Sequence, residues 1–265
     1  PPYKKLNDDE KREFFRHRGA SQLSQFLHGE QGALLVASQL VSCAPTYQAK
    51  LYAASQAFDE ARHVEAFSKY IQTRTKLMYP VGSGLKSLLD KILTDERWDL
   101  KLIGMQIIIE GLALAAFNTA KAVTPDPVFR DVLHLVIRDE ARHVTFGVNY
   151  LEDFIENLSE KEREDRAMFA YEACVISKER LFPTDVFRKF GWNENEAREF
   201  SNNAGFAQEF QRLLFSRVVP NLSRIGLLTD KVRPLYDKLG VLEFESHSSE
   251  DISWAELEKP LDQSA

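Results

Sequence analysis

Asp59-Glu-Ala-Arg-His-Val64 and Asp139-Glu-Ala-Arg-His-Val144 are the same six residues, met twice, 80 positions apart. The match extends outward at the same offset. Glu30-Gln-Gly-Ala-Leu34 aligns with Glu110-Gly-Leu-Ala-Leu114, Pro45 with Pro125, and Tyr70 with Tyr150. Each copy reads as a helix carrying a lone Glu, a proline corner, and a second helix carrying Glu-x-x-His. Two copies of one helix pair predict an all-α chain built on a four-helix bundle. Composition agrees: only 12 Gly and 10 Pro occur in 265 residues. So few breakers favour long helices over many short strands and argue against a β-sandwich, a propeller or a disordered chain.

Helical periodicity runs through 22–43, 46–76, 98–123 and 128–158, between prolines 45, 80, 125 and 127. Residues 79–84 read as a loop and 84–96 as a shorter connecting helix. Ser159-Glu-Lys-Glu162 is a capping box that starts a helix to about Leu181. Residues 193–219 read as one more. The expected organisation is a single helical domain over 1–240, with the bundle at 22–158 and additional helices at 159–240. An acidic tail follows at 241–265.

Positions three or four apart share a helix face. The four bundle helices then present apolar stripes, each interrupted by carboxylate chemistry. Leu23, Phe26, Leu27, Glu30, Ala33 and Leu34 line the first; Ala53, Gln56, Glu60, His63, Val64 and Phe67 the second. Ile103, Gln106, Ile107, Glu110, Ala113 and Leu114 line the third; Val136, Ile137, Glu140, His143, Val144 and Gly147 the fourth. Four ionised carboxylates in an apolar core cost several kcal/mol each unless compensated. Two cations remove that cost. Four Glu and two neutral His form a hard, mixed oxygen and nitrogen donor set that suits iron, or a manganese–iron pair. The competing reading is a helical repeat whose Glu and His face solvent. It fails to explain why every Glu falls on an apolar stripe. A single Glu-x-x-His carries little information; two identical copies, each following a lone Glu at the same spacing, carry much more.

The remaining composition narrows the function classes. The net charge of −6 lies in the last 25 residues, which hold seven acids and one base; elsewhere 33 acids balance 33 bases. No basic excess points to nucleic acid. Cys43 and Cys174 give neither a disulfide framework nor zinc spacing, and suit a cytoplasmic protein. The most apolar run, 102–117, is short for a membrane span and contains Gln106 and Glu110. There is no Gly-rich dinucleotide fingerprint and no Cys set for an iron–sulfur cluster, so electrons are expected from an external ferredoxin or flavin reductase. Gly32, Gly111 and Gly147 near the ligands either leave a substrate cavity or let helices approach closely. His28 lies off the stripe as a surface or cap histidine. Trp98 is open between an electron path and plain packing.

The pattern E…DEARH…E…DEARH, at Glu30, Glu60, His63, Glu110, Glu140 and His143, resembles the ferritin-like di-iron carboxylate superfamily. Within it, the sequence is similar to the branch of oxidases and oxygenases akin to the ribonucleotide reductase small subunit, over about 22–158. The resemblance implies two irons bridged by glutamates and O2 activation at the metals. It implies that Asp59 orients His143 and that Asp139 orients His63. Arg62 and Arg142 point away from the ligand face and are open between pairing with these aspartates and a plain ion pair at the bundle surface. Gln56 and Gln106, one turn before Glu60 and Glu110, are expected as polar neighbours of the ligands. Three departures matter. Phe67 stands where radical subunits carry their tyrosine. Val136 stands where arylamine N-oxygenases carry an extra His, which sets the chain apart from them there. Ala113 and Leu114 replace the Thr of multicomponent monooxygenases and desaturases. The expected function is an O2-dependent di-iron oxygenase that hydroxylates, N-oxygenates or desaturates a small or medium organic molecule. A radical-generating or ligand-binding oxidase is the alternative, with ferroxidase or iron storage behind it. A homodimer along one helix pair is also open.

Overall fold

The computed structural model of the protein describes residues 2–179, 182–203, 212–248 and 253–261. Helices account for nearly all of its regular structure, and no strand occurs among the described residues. Helix α1 spans Asp8–Cys43, starting well before residue 22. Asn7 sets that start: its side chain accepts the Glu10 N–H while Glu10 accepts the Asn7 N–H. The added turns are held by Phe14, which stacks against Trp192 and Phe187.

Helix α2 spans Tyr47–Tyr70, capped by Thr46, and runs into a π-helical turn at Ile71–Thr75. Lys76 ends that turn in the left-handed region, at φ 51°. Helix α3 spans Ser83–Thr94. Helix α4 spans Trp98–Val123 and is long and apolar enough to cross a membrane, but 83% of its most apolar window is buried inside the bundle. Helix α5 spans Pro127–Glu156; Asp126 caps it and Pro127 takes the first turn, where no N–H is needed. Helix α1 packs along α2, and α4 along α5. The two hairpins meet in one continuous apolar core.

The middle of α4, Ile103–Ile109, is π-helical: the Glu110 N–H reaches back to Met105 O, one residue beyond the α spacing. Every side chain from 99 to 112 is buried, so no solvent face fixes the phase of this stretch. The regular 3.6-residue stripe expected there is therefore interrupted.

Beyond the bundle, α6 (Glu160–Glu179) starts at the Ser159–Glu162 capping box. The expected helix end near Leu181 lies outside the described residues. Helices α7 (Thr184–Lys189), α8 (Glu194–Asn203), α9 (Val218–Arg224), α10 (Arg233–Leu239) and α11 (Trp254–Leu257) follow. The single helix expected over 193–219 is not continuous. Residues 204–211 lie outside the described set, and Ser216–Arg217 form a turn before α9. Pro220 explains the break: lacking an N–H, it fits the first turn of a new helix and not the interior of an old one. The acidic tail begins against the body, where Val241 and Phe244 are buried. Glu243 pairs there with Arg212, and Glu245 with Arg233.

Candidate metal centre

The structure brings all six stripe residues to one place midway along the bundle. Glu30 enters from α1, Glu60 and His63 from α2, Glu110 from α4, Glu140 and His143 from α5. They form two overlapping groups: Glu30, Glu60, His63 and Glu140, then Glu60, Glu110, Glu140 and His143. Within each group, one donor atom per residue lies within 4.8 Å of every other, and all six residues are buried. Glu60 and Glu140 belong to both groups, as carboxylates spanning two positions would.

The histidines are held from behind. His63 Nε2 lies 3.3 Å from Asp139 Oδ2, and His143 Nε2 lies 3.3 Å from Asp59 Oδ2. An acid behind Nε2 favours the proton there and turns the Nδ1 lone pair toward the glutamates. His63 Nδ1 is 3.2 Å from Glu30 and 3.1 Å from Glu140. His143 Nδ1 is 3.3 Å from Glu60. Arg62 contacts Asp59 and lies 3.1 Å from Asp139. Arg142 lies 2.7 Å from Asp139 and 3.2 Å from Asp59. Each arginine thus bridges the aspartates of both copies of the repeat.

The electrostatics follow from burial and these partners. Burial raises the Glu30 and Glu110 carboxyls well above the ordinary range, and repulsion from Glu140 adds to it. Burial also works against ionised Glu60, but the close His143 and His63 imidazoles outweigh it and hold Glu60 below the usual range. His63 and His143 rise despite burial, through Asp139 and Asp59 respectively and then the glutamates. For Asp59, bonds from His143 and Arg62 overcome burial and bring it to about 2. Without cations, protons balance this cluster.

Three buried atoms test the fit of a metal pair. Glu110 Oε2, Glu140 Oε1 and His143 Nδ1 have no hydrogen-bond partner. Glu140 Oε1 lies near His63 Nδ1 but out of line for a bond. Buried acceptors left unsatisfied cost about 1–3 kcal/mol each. All three belong to residues of the group Glu60, Glu110, Glu140 and His143, where a cation would satisfy them. Donor types, count and these unsatisfied atoms fit two iron ions.

The surroundings differ at the two ends. Gln56 Nε2 donates to Glu110 Oε1 at 2.7 Å and to Glu60 Oε1 at 3.2 Å, and its own carbonyl accepts from Gln106 at 2.9 Å. Gln106 Oε1 is buried without a partner. At the other end Phe26, Phe67 and Phe117 close in, with ring centroids 4.8–6.1 Å apart. The glycines prove to be packing sites. A Cβ on Gly147 would stand 2.6 Å from Gln106 Cβ, and one on Gly32 would collide with Leu89. Gly111 faces Val218. His28 bonds Gln31 and the Tyr79 carbonyl, pinning the 76–82 loop. Two neighbours of the site were not singled out from sequence, Tyr52 and Phe146. Tyr52 sits edge-on to His143 at 6.4 Å, its hydroxyl buried without a partner. Its signal was present: Phe146, Tyr150 and Phe154 recur every four residues beside the ligand stripe of α5.

A family model described as p-aminobenzoate N-oxygenase AurF matches residues 1–226. The departure at Val136, which is buried in the core, does not separate the chain from that family. No curated protein matches the chain. Among solved structures, the chain is similar to protein 19 with aldehyde deformylating oxidase activity from Synechococcus. That protein is 16% identical, with a TM-score of 0.63 covering 85% of this chain and 97% of that one. At this identity the likeness establishes the ferritin-like fold.

Proposed function

The chain belongs to the p-aminobenzoate N-oxygenase AurF family, and from that premise we propose that Glu30, Glu60, His63, Glu110, Glu140 and His143 hold its two irons. Membership makes the protein an O2-activating di-iron oxidoreductase. The ligand assignment rests on one observation: two four-residue donor groups, buried and sharing Glu60 and Glu140, with three unsatisfied buried atoms on residues of the second. Bound iron supplies O2 activation there. The reaction read for this chain is N-oxygenation of an aromatic amine, in keeping with the family description. The phenylalanine end supports it, since aromatic faces favour edge and offset contacts with another ring.

The chain's own residues perform defined tasks. Asp59 and Asp139 fix which imidazole nitrogen faces the metals. Arg62 and Arg142 help keep those aspartates ionised. Gln56 orients the Glu110 carboxylate by donating to one of its oxygens, leaving Oε2 free. Phe26, Phe67 and Phe117 exclude water from one end.

The partners complete the reading. An external one-electron donor supplies reducing equivalents. A second copy pairs across the outer face of α2, where Tyr47, Leu51 and Phe58 are 80%, 70% and 68% exposed on one stripe. The location is the cytoplasm, in keeping with two free cysteines. Metal analysis tests the foundation. Glu60→Ala and Glu140→Ala should each empty the site; unchanged iron in either sinks the assignment. Incubation of the iron-loaded, reduced protein with O2 and p-aminobenzoate or related anilines should give hydroxylamine or nitro products by mass spectrometry. Oxygenated carbon with the amine untouched would overturn the N-oxygenation reading.

A further inference from the structure

Four aromatic rings run in file from His143 to the surface. Tyr52 lies 6.4 Å from the His143 ring, centroid to centroid, and stacks on Phe146 at 3.7 Å with only 8° between planes. Phe146 stacks on Tyr150 at 5.4 Å and 16°, and Tyr150 meets Trp98 edge-on at 5.7 Å. Tyr150 and Trp98 then line a surface groove of about 290 Å³ with Pro45, Asn149, Asp153 and Phe154. Among the described residues, no other file of rings joins a ligand histidine to the surface. The rings at the opposite end are phenylalanines up to Phe129 and Tyr70, and none of them pairs with a ligand histidine.

The chemistry of the file is specific. Tyrosine and tryptophan are the side chains most readily oxidised by one electron, and stacked rings give continuous π contact across a gap that aliphatic packing would leave weakly coupled. The buried Tyr52 hydroxyl has no acceptor to take its proton, so its ring serves as a bridge. The sheltered end abuts the imidazole whose Nδ1 faces the donor cluster; the other end is wet.

We propose that His143, Tyr52, Phe146, Tyr150 and Trp98 form the route by which single electrons enter the metal site from the Pro45–Phe154 groove. The route rests on the ligand assignment above, because it ends on His143. One electron leaves an external donor of the flavin or iron–sulfur class at the groove and arrives at a metal ion. The donor is oxidised by one equivalent, the ion reduced by one, and no bond on the rings forms or breaks. Trp98 is thereby assigned a role that packing alone would not give it.

The route is tested in the full chain loaded with ferrous iron and kept free of O2. A ruthenium polypyridyl photo-oxidant is tethered to a cysteine replacing exposed Asp153, in a Cys43→Ser background; Cys174 is buried. A flash then draws an electron outward along the same path, and transient absorption reads the rate at which ruthenium is re-reduced by iron. Phe146→Leu should slow this on the order of tenfold, because the aliphatic side chain leaves a gap where ring atoms were in contact. Tyr52→Leu should do the same. Phe129→Leu, in the other aromatic group, should leave the rate unchanged. Iron content of each variant is measured in parallel. Equal rates in all variants at full iron content overturn the route and leave the ligand assignment standing. A parent protein that binds no iron overturns both.

Discussion

Glu30 and Glu110 are partners in the repeat, yet their surroundings are unlike. Glu30 meets His63 and a phenylalanine-lined end, while Glu110 sits against two buried amides at the exit of a π-helical stretch. Glu60 and Glu140, the other repeat partners, lie between them and face both groups. The repeat therefore supplies a symmetric set of donors and an asymmetric medium. A polar end, with amides hydrogen-bonded to Glu110 and Glu60, faces an apolar end of packed phenylalanines.

Substitutions can break this comparison, beginning with the largest effect. Glu60→Ala should remove both metals, whereas Glu30→Ala or Glu110→Ala should lower iron content only in part; metal analysis per chain distinguishes them. Phe67→Ala should cost about 3–5 kcal/mol of stability in urea unfolding, since Phe67 is fully buried among Phe26 and Phe117. It should leave the ligand set in place. Asp139→Asn should weaken metal at the His63 group, and Asp59→Asn at the His143 group, by about 10- to 100-fold each in competitive chelator titrations. Equal weakening of both groups by either variant would blur the distinction. Gln56→Leu should cost about 1–3 kcal/mol by leaving buried oxygen and nitrogen unpaired, and should perturb spectra of the Glu110 end more than those of the Glu30 end.

Acidity gives the gentlest test. Glu30, Glu110, His63 and His143 all hold protons more tightly in the folded, metal-free chain than in the unfolded one. Stability from such groups is complete below the unfolded value and is lost as pH rises toward the folded one. The metal-free protein should therefore lose stability upward from about pH 5, while iron, which must displace those protons, binds more tightly. The melting-temperature gap between loaded and metal-free protein should widen from about pH 5 to about pH 8. A gap that narrows would contradict the proton balance.

Much of the site was legible in the sequence, because a duplicated six-residue motif on apolar stripes constrains both spacing and face. The crossed Asp–His pairs followed from that motif and its resemblance, which left the Arg62 and Arg142 contacts open. Other features were not legible for identifiable reasons. The π-helical stretch at 103–109 hides in a run buried on all sides, where hydrophobic periodicity loses its phase. The role of Gly147 depends on Gln106 approaching from another helix, and no local pattern shows what stands opposite a glycine. Tyr52 and Phe146 meet only when α2 and α5 dock. The start of α1 was marked by Asn7 and Glu10 but lacked an apolar stripe to draw attention to it.

The crossing of the two copies has a consequence for how the chain comes into being. Asp59 supports the histidine of the second copy, Asp139 that of the first, and each arginine reaches both aspartates. A nascent chain that has emerged only as far as the first hairpin owns Glu30, Glu60 and His63 but lacks both Glu140 and the acid that steadies His63. It offers iron a poor, incomplete grip. Competence arrives when residues near 144 have left the ribosome and the hairpins have closed on each other. With the proposed ligands, reactive iron would be admitted late, to a finished container.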